Sequence, residues 1–151
     1  MSLDAFVTRI SPEGKMLFSS YFGSSGLDGI SDLKWRADGV IVVVGSVGAA
    51  DFPLKEPIQT TISPRTGLLS AFLMILADDG SSIRYSTFIG GTSSGGPTAL
   101  VLDSKGTIYV VGIAADRGYP TKNPLFAEAE DYHGFLTIFH SCPKQHLLDI
   151  T

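Results

Sequence analysis

Three side chains that bind soft metals, His140, Cys142 and His146, crowd the stretch HSCPKQH near the end of the chain, and only Asp149 is placed to complete a set of four. The spacing matches no zinc pattern, so no metal is expected. Asp32 and Lys34 stand two residues apart in an apolar run, which puts them on one face of an extended strand. A functional role for the pair is one reading. A self-paired, partly wet ion pair accounts for it better, because an unpaired buried carboxylate is costly, and this second reading is the expectation. Tyr132 and His133 fall in a loop with few constraints, where both could touch a ligand. Asp32, Lys34, Tyr132 and His133 are therefore the ligand-binding candidates, with no catalytic, cofactor or metal residue among them.

Other chemistry finds no support. No Gly-x-Ser-x-Gly elbow, phosphate loop or His-Glu-x-x-His occurs. The glycine-rich GGTSSGG, residues 90–96, is followed by no helix whose N-terminus would hold a phosphate. ADDG and DSKG contain clustered oxygens but lack the alternating spacing of a calcium loop, so they read as turns.

These residues must be positioned by a framework that the chain states twice. GVIVVVGSVGAADFP, from Gly39, recurs as GTIYVVGIAADRGYP, from Gly106. At the same offset Ser19 meets Ser86, Gly23 meets Gly90, Leu33 meets Leu100, and Pro53, Lys55 and Pro57 meet Pro120, Lys122 and Pro124. After a one-residue slip the match extends back to Ala5-Phe6 and Ala71-Phe72. A third copy begins at GFLTIFH and stops. A repeat of this length is read before any single motif.

Each unit contains four short runs rich in Val, Ile, Phe and Tyr. They begin near Ala5, Met16, Ile30 and Val40 in the first unit, and near Ala71, Ile83, Thr98 and Thr107 in the second. SPEG, RADG, ADDG and DSKG each end in a glycine between two runs, as a tight hairpin needing positive φ at its last residue requires. The run VIVVVG does not alternate, so it suits a strand covered on both faces. The expected fold is all-β: a β-propeller-like array of four-stranded antiparallel blades, about two units and the start of a third, in an incomplete ring. A β-sandwich spaces strands similarly but has no reason to repeat every four of them. The expected bounds are about 4–70 and 71–134 for the units, 135–140 for the partial third, and a non-repeat tail over 141–151, with 1–140 as one repeat region.

DAFVTRISPEGKMLFSSYFGSSG, followed by GVIVVVGSVGAADFP, resembles the bacterial seven-bladed β-propeller repeat, the SBBP repeat. The family unit reads DAFVTKL, a Gly turn, YSTYLGG, an apolar strand, a D-x-x-G turn, YVTG and a loop ending in DFP. Here Asp4–Ile10, Tyr85–Gly91, Asp103–Gly106, Tyr109–Gly112 and Asp51–Pro53 are the counterparts. RADG and SSYFGSS depart from it while keeping the turn and strand chemistry. The resemblance implies that the strands at Ile30 and Thr98 are innermost, with those from Val40, Ala71 and Ile83 following outward. It also implies export. MSLDAFVTRI has no leader character, so an exported parent would be longer, and the cytoplasm is the other possibility. Neighbouring blades would come from that longer chain, the favoured reading, or from copies of this one.

Bulk properties narrow the function. The chain has 151 residues, 44% apolar and 17% charged, a globular composition. A net charge of −4 supplies no basic stripe for nucleic acid. One cysteine excludes an internal disulfide, and no segment is long and apolar enough to span a bilayer as a helix. The expectation is a non-catalytic scaffold or interaction module of a secreted or cell-surface bacterial protein. It would meet a protein or glycan through the connections Val47–Ser70 and Ala114–His133. An oligomeric lectin with aromatic platforms such as Phe52 and Tyr119 is the alternative. An enzyme built in the channel would have to rely on Asp32 and Lys34, whose counterparts Ala99 and Val101 are inert. Trp35 shares strand parity with Leu33 and is expected in the core. Phe52 and Tyr119, each before a proline, are expected to anchor their loops over the blade.

Overall fold

The computed structural model describes residues 2–62, 69–90, 95–115, 119–122, 132–141 and 148–150. These residues are all-β, without a helix. In chain order the strands are β1 (Ala5–Ile10), β2 (Met16–Phe22), β3 (Gly29–Trp35), β4 (Ile41–Val47), β5 (Ser70–Leu76), β6 (Ile83–Ile89), β7 (Gly95–Leu102), β8 (Ile108–Ala115), β9 (Tyr132–Ser141) and β10 (Leu148–Ile150). They form three antiparallel sheets: a pair β1-β2, a central sheet in the order β3-β4-β5-β6, and a third sheet in the order β7-β8-β9-β10.

The hairpins follow from the turn glycines. Gly14, Gly39, Gly80 and Gly106 have φ of 81°, 90°, 68° and 83°. Their N–H groups donate to the carbonyls of Ser11, Arg36, Ala77 and Asp103 at 2.9–3.1 Å. A type I turn closed by a left-handed glycine matches the strand twist, and a Cβ would be strained there.

The repeat is also visible in irregularities. The ladder is interrupted between Ile30 and Asp32 in β3, and again between their counterparts Pro97 and Ala99 in β7. It is interrupted between Arg9 and Ile10 in β1, and again between Ile75 and Leu76 in β5. Bulges re-aim side chains, so repeating them preserves which residues face each neighbour.

The central sheet lies between the other two. Val40, Val42, Val44, Leu73 and Ile75 form one buried cluster with Leu100, Ile108, Val110 and Phe139 of the third sheet. On the other face, Ile41, Val43, Phe72, Met74 and Phe88 are buried with Val7 of β1 and Phe52. This double burial is why β4 and β5 are apolar at successive positions instead of alternating.

Two expectations need correction. Trp35 is 46% exposed rather than buried. The first sheet has only two strands, and it leaves the Leu33 and Trp35 side chains of β3 partly exposed. Arg9 of β1 reaches across instead, its guanidinium 4.2 Å from the Trp35 ring centroid, a cation–π contact, while it donates to the Asp78 carbonyl at 3.2 Å. The tail is not all outside the pattern, because β10 pairs with β9 through Leu148, Asp149 and Ile150 and supplies the sheet's fourth strand. The connection after β4 is fastened to β6. Lys55 N–H donates to the Ser86 hydroxyl (2.7 Å), Ser86 N–H to the Lys55 carbonyl (3.0 Å), and Gln59 N–H to the Thr87 hydroxyl (3.0 Å). The segment runs along the outer strand β6 and occupies polar groups that an edge strand would otherwise leave open.

Candidate functional site

Asp32 and Lys34 form the ion pair expected of them, with Nζ 2.6 Å from Oδ1. The other carboxylate oxygen, Oδ2, has a partner that strand parity does not reveal: it accepts the N–H of Leu100, on β7, at 2.9 Å. Leu100 N–H is buried with its residue, and Asp32 thus clips the edge strand of one sheet to the edge strand of the next. The bulge beside Asp32 aims its side chain at β7. Ala99, the repeat counterpart, cannot make such a clip, so the bond occurs once.

Partial burial pushes the Asp32 carboxyl up. The N–H of Leu100, Lys34 and the N–H of Leu33 outweigh this and hold it below the usual carboxylate range. A carboxylate depressed in the folded state stabilises it above the unfolded value, near pH 4, and that stabilisation is lost as pH falls through the folded value. The hydrogen-bonded carboxyls of Asp38, Asp51, Asp79 and Asp103 are lowered too. Urea unfolding midpoints should therefore be flat near neutrality and fall below about pH 4. Asp32→Ala, which strands the Leu100 N–H, is expected to cost about 1–3 kcal/mol and to weaken this acid dependence. Lys34→Ala, on the exposed side of the pair, should cost less than about 1 kcal/mol. Equal losses for the two variants would show that the clip contributes nothing.

Tyr132 and His133 open β9, opposite Ala115 and Ala114 of β8, and both are exposed. They lie in a different sheet from Asp32 and Lys34, so the four candidates form two places and not one site. Of the HSCPKQH cluster, His140 is on β9 in register with Asp149, while Cys142 and His146 lie outside the described residues. Among the described residues no group of three or more His, Cys, Asp or Glu is placed to hold a metal ion. Residues 63–68 of the first proposed binding connection, and 116–118 and 123–131 of the second, also lie outside them.

The two aromatic-Pro residues do anchor their loops. The Phe52 ring packs on Phe72 with centroids 4.6 Å apart, and the Tyr119 ring stacks on Phe135 at 4.5 Å. Gly45 and Gly112 leave the space for Phe72 and Phe135: a Cβ would meet those rings at 2.8 and 2.7 Å. One chemical change within the repeat is compensated. Tyr119 has a hydroxyl that Phe52 lacks, and Thr137 stands where the central sheet has Met74; the two hydroxyls lie 2.5 Å apart. Burial drives the Tyr119 phenol's pKa up, with the Thr137 bond opposing it. The Phe52 ring is buried, and the Tyr119 ring is partly buried.

Two further fastenings have no signal in the repeat. Asp28 accepts from the hydroxyl of Ser24 (2.9 Å), from its N–H, and from Gly48 N–H (3.2 Å), while Asp51 accepts from Ser25 N–H at 2.9 Å. Both tie the link before β3 to the turn after β4. Position 95, the counterpart of Asp28, is Gly, so comparison of the copies could not have found it. An open groove between β2 and the β5–β6 hairpin is lined by Asp4, Tyr21, Phe22, Pro53, Ser81 and Ile83. Among the described residues, no helix is long and apolar enough to cross a membrane. No protein-family model matches the chain, and no curated protein matches it significantly.

Proposed function

We propose that this chain is a non-catalytic repeat module of the bacterial β-propeller type, serving as scaffold and interaction surface in a secreted or cell-surface protein. The observation that carries the reading is the central sheet, buried on both faces by sheets built from equivalent residues. Gly45, Phe72 and Phe52 in one unit correspond to Gly112, Phe135 and Tyr119 in the next. Side-by-side sheets of this kind are the building principle of propellers and other stacked-repeat folds. The polar groups with chemical potential are spent on holding this stack. Asp32 clips β3 to β7, Asp28 and Asp51 fasten a turn, and Ser86 and Thr87 hold the segment after β4. Binding is left to the exposed surface, where Tyr132 and His133 stand side by side at the start of β9.

The test probes arrays of extracellular proteins and of glycans with the labelled chain, together with a panel of ester, glycoside and phosphate substrates. A macromolecular ligand whose binding falls at least tenfold in Tyr132→Ala, with the melting temperature unchanged, supports the reading. Turnover of any panel substrate that disappears in a folded Asp32→Asn variant overturns it.

A further inference from the structure

The two ends of the stack expose faces that the chain buries in its own middle. On the central sheet, Phe72, Met74, Leu76 and Phe88 face the first sheet and are covered. Their counterparts on β1 and β2 are Phe6, Thr8, Ile10 and Tyr21, which look outward. Phe6 and Ile10 are each 61% exposed and Tyr21 is 78% exposed, with the Phe6 and Tyr21 rings 6.3 Å apart. At the other end, Val44 and Leu73 of the central sheet are covered by the third sheet. Their counterparts there, Val111 and Leu136, are 43% and 57% exposed, and Val101 and Ile113 share that face.

The pairing rule within the chain is directional. The face of the Phe72 type packs against the face of the Val44–Leu73 type of the preceding sheet, and this happens at both internal junctions. The chain thus exposes one unpaired example of each face, at opposite ends. We propose that a second copy of this chain docks head to tail, its first sheet covering the third sheet of the copy before it. The contact is heterologous, so it either closes into a ring or continues as a filament. Both faces are apolar and contiguous, as a protein interface core is, and monomers rarely leave two such patches bare. The proposal rests on the internal stacking and not on any ligand of the loops, so either proposal can fail alone.

Sedimentation of the intact chain across a concentration series tests this, with Phe6→Glu blocking one end and Leu136→Glu the other. Both positions are exposed, so each variant should keep its β circular dichroism; Tyr21→Lys and Val111→Lys serve as a second pair if it does not. The wild type should gain mass with concentration. Each variant alone should associate at least tenfold more weakly, and an equimolar mixture should form a dimer and stop there. A wild type that is monomeric throughout, a variant that still associates by itself, or a mixture that stays monomeric overturns the proposal.

Discussion

Alanine at Gly45 is expected to destabilise the chain by at least the upper end of the roughly 1–3 kcal/mol cost of overpacking. An added Cβ would sit 2.0 Å from the Gly29 carbonyl oxygen on the paired strand, and 2.8 Å from the Phe72 ring. The oxygen belongs to backbone held in the β3–β4 ladder, so it cannot move aside without opening the sheet, and the ring is buried between two sheets. Gly29→Ala is the control: a Cβ there meets nothing within 4 Å. It should stay within about 1 kcal/mol of wild type. Gly112→Ala repeats the test in the third sheet, where the same atom would lie 2.2 Å from the Gly96 carbonyl oxygen. Urea unfolding of the three variants measures this, and a Gly45→Ala protein as stable as Gly29→Ala would contradict the packing described.

Truncating Phe72 to alanine should cost about 3–5 kcal/mol, the usual range for a fully buried aromatic. Its ring meets Phe52 and Phe22, at 4.6 and 6.1 Å between centroids, and lies over Gly45, so the cavity left behind is walled by groups fixed in the sheets. Phe6 holds the same place in the first unit and faces outward. Phe6→Ala should cost less than about 1 kcal/mol in dilute solution. One residue type at one repeat position, with stability effects this far apart, would measure directly what the neighbouring sheet contributes. Similar losses at Phe6 and Phe72 would mean that both sheets are covered alike.

Much of the framework was legible because it depends on local chemistry stated twice. The four turn glycines have the positive φ that the hairpin pattern requires, and the strands start within a few residues of the apolar runs that signalled them. The non-alternating VIVVVG is covered on both sides, as its composition demanded. What escaped depends on where the chain's neighbours stop. Trp35 was misplaced because strand parity gives its face, but not whether a sheet lies over that face. Strand β10 escaped because three residues carry no periodicity. The clip from Asp32 to Leu100 depends on a bulge and on how closely two sheets approach, neither of which is written in spacing. The latch of Lys55 and Gln59 onto β6 uses backbone groups, which every sequence has. The candidate site was legible only in its ion pair.

The central physical claim is that alternate residues of one strand face two different sheets. Methyl-to-methyl nuclear Overhauser contacts from β4 test it most directly. Val42 and Val44 should show contacts to the third sheet, to Leu100 or Val110, and none to Val7, while Val43 should belong with Val7 and show none to the third sheet. Odd- and even-numbered residues of β4 reporting the same neighbours, or Val42 and Val44 showing no contact to the third sheet, would contradict the stacked arrangement and the functional reading built on it.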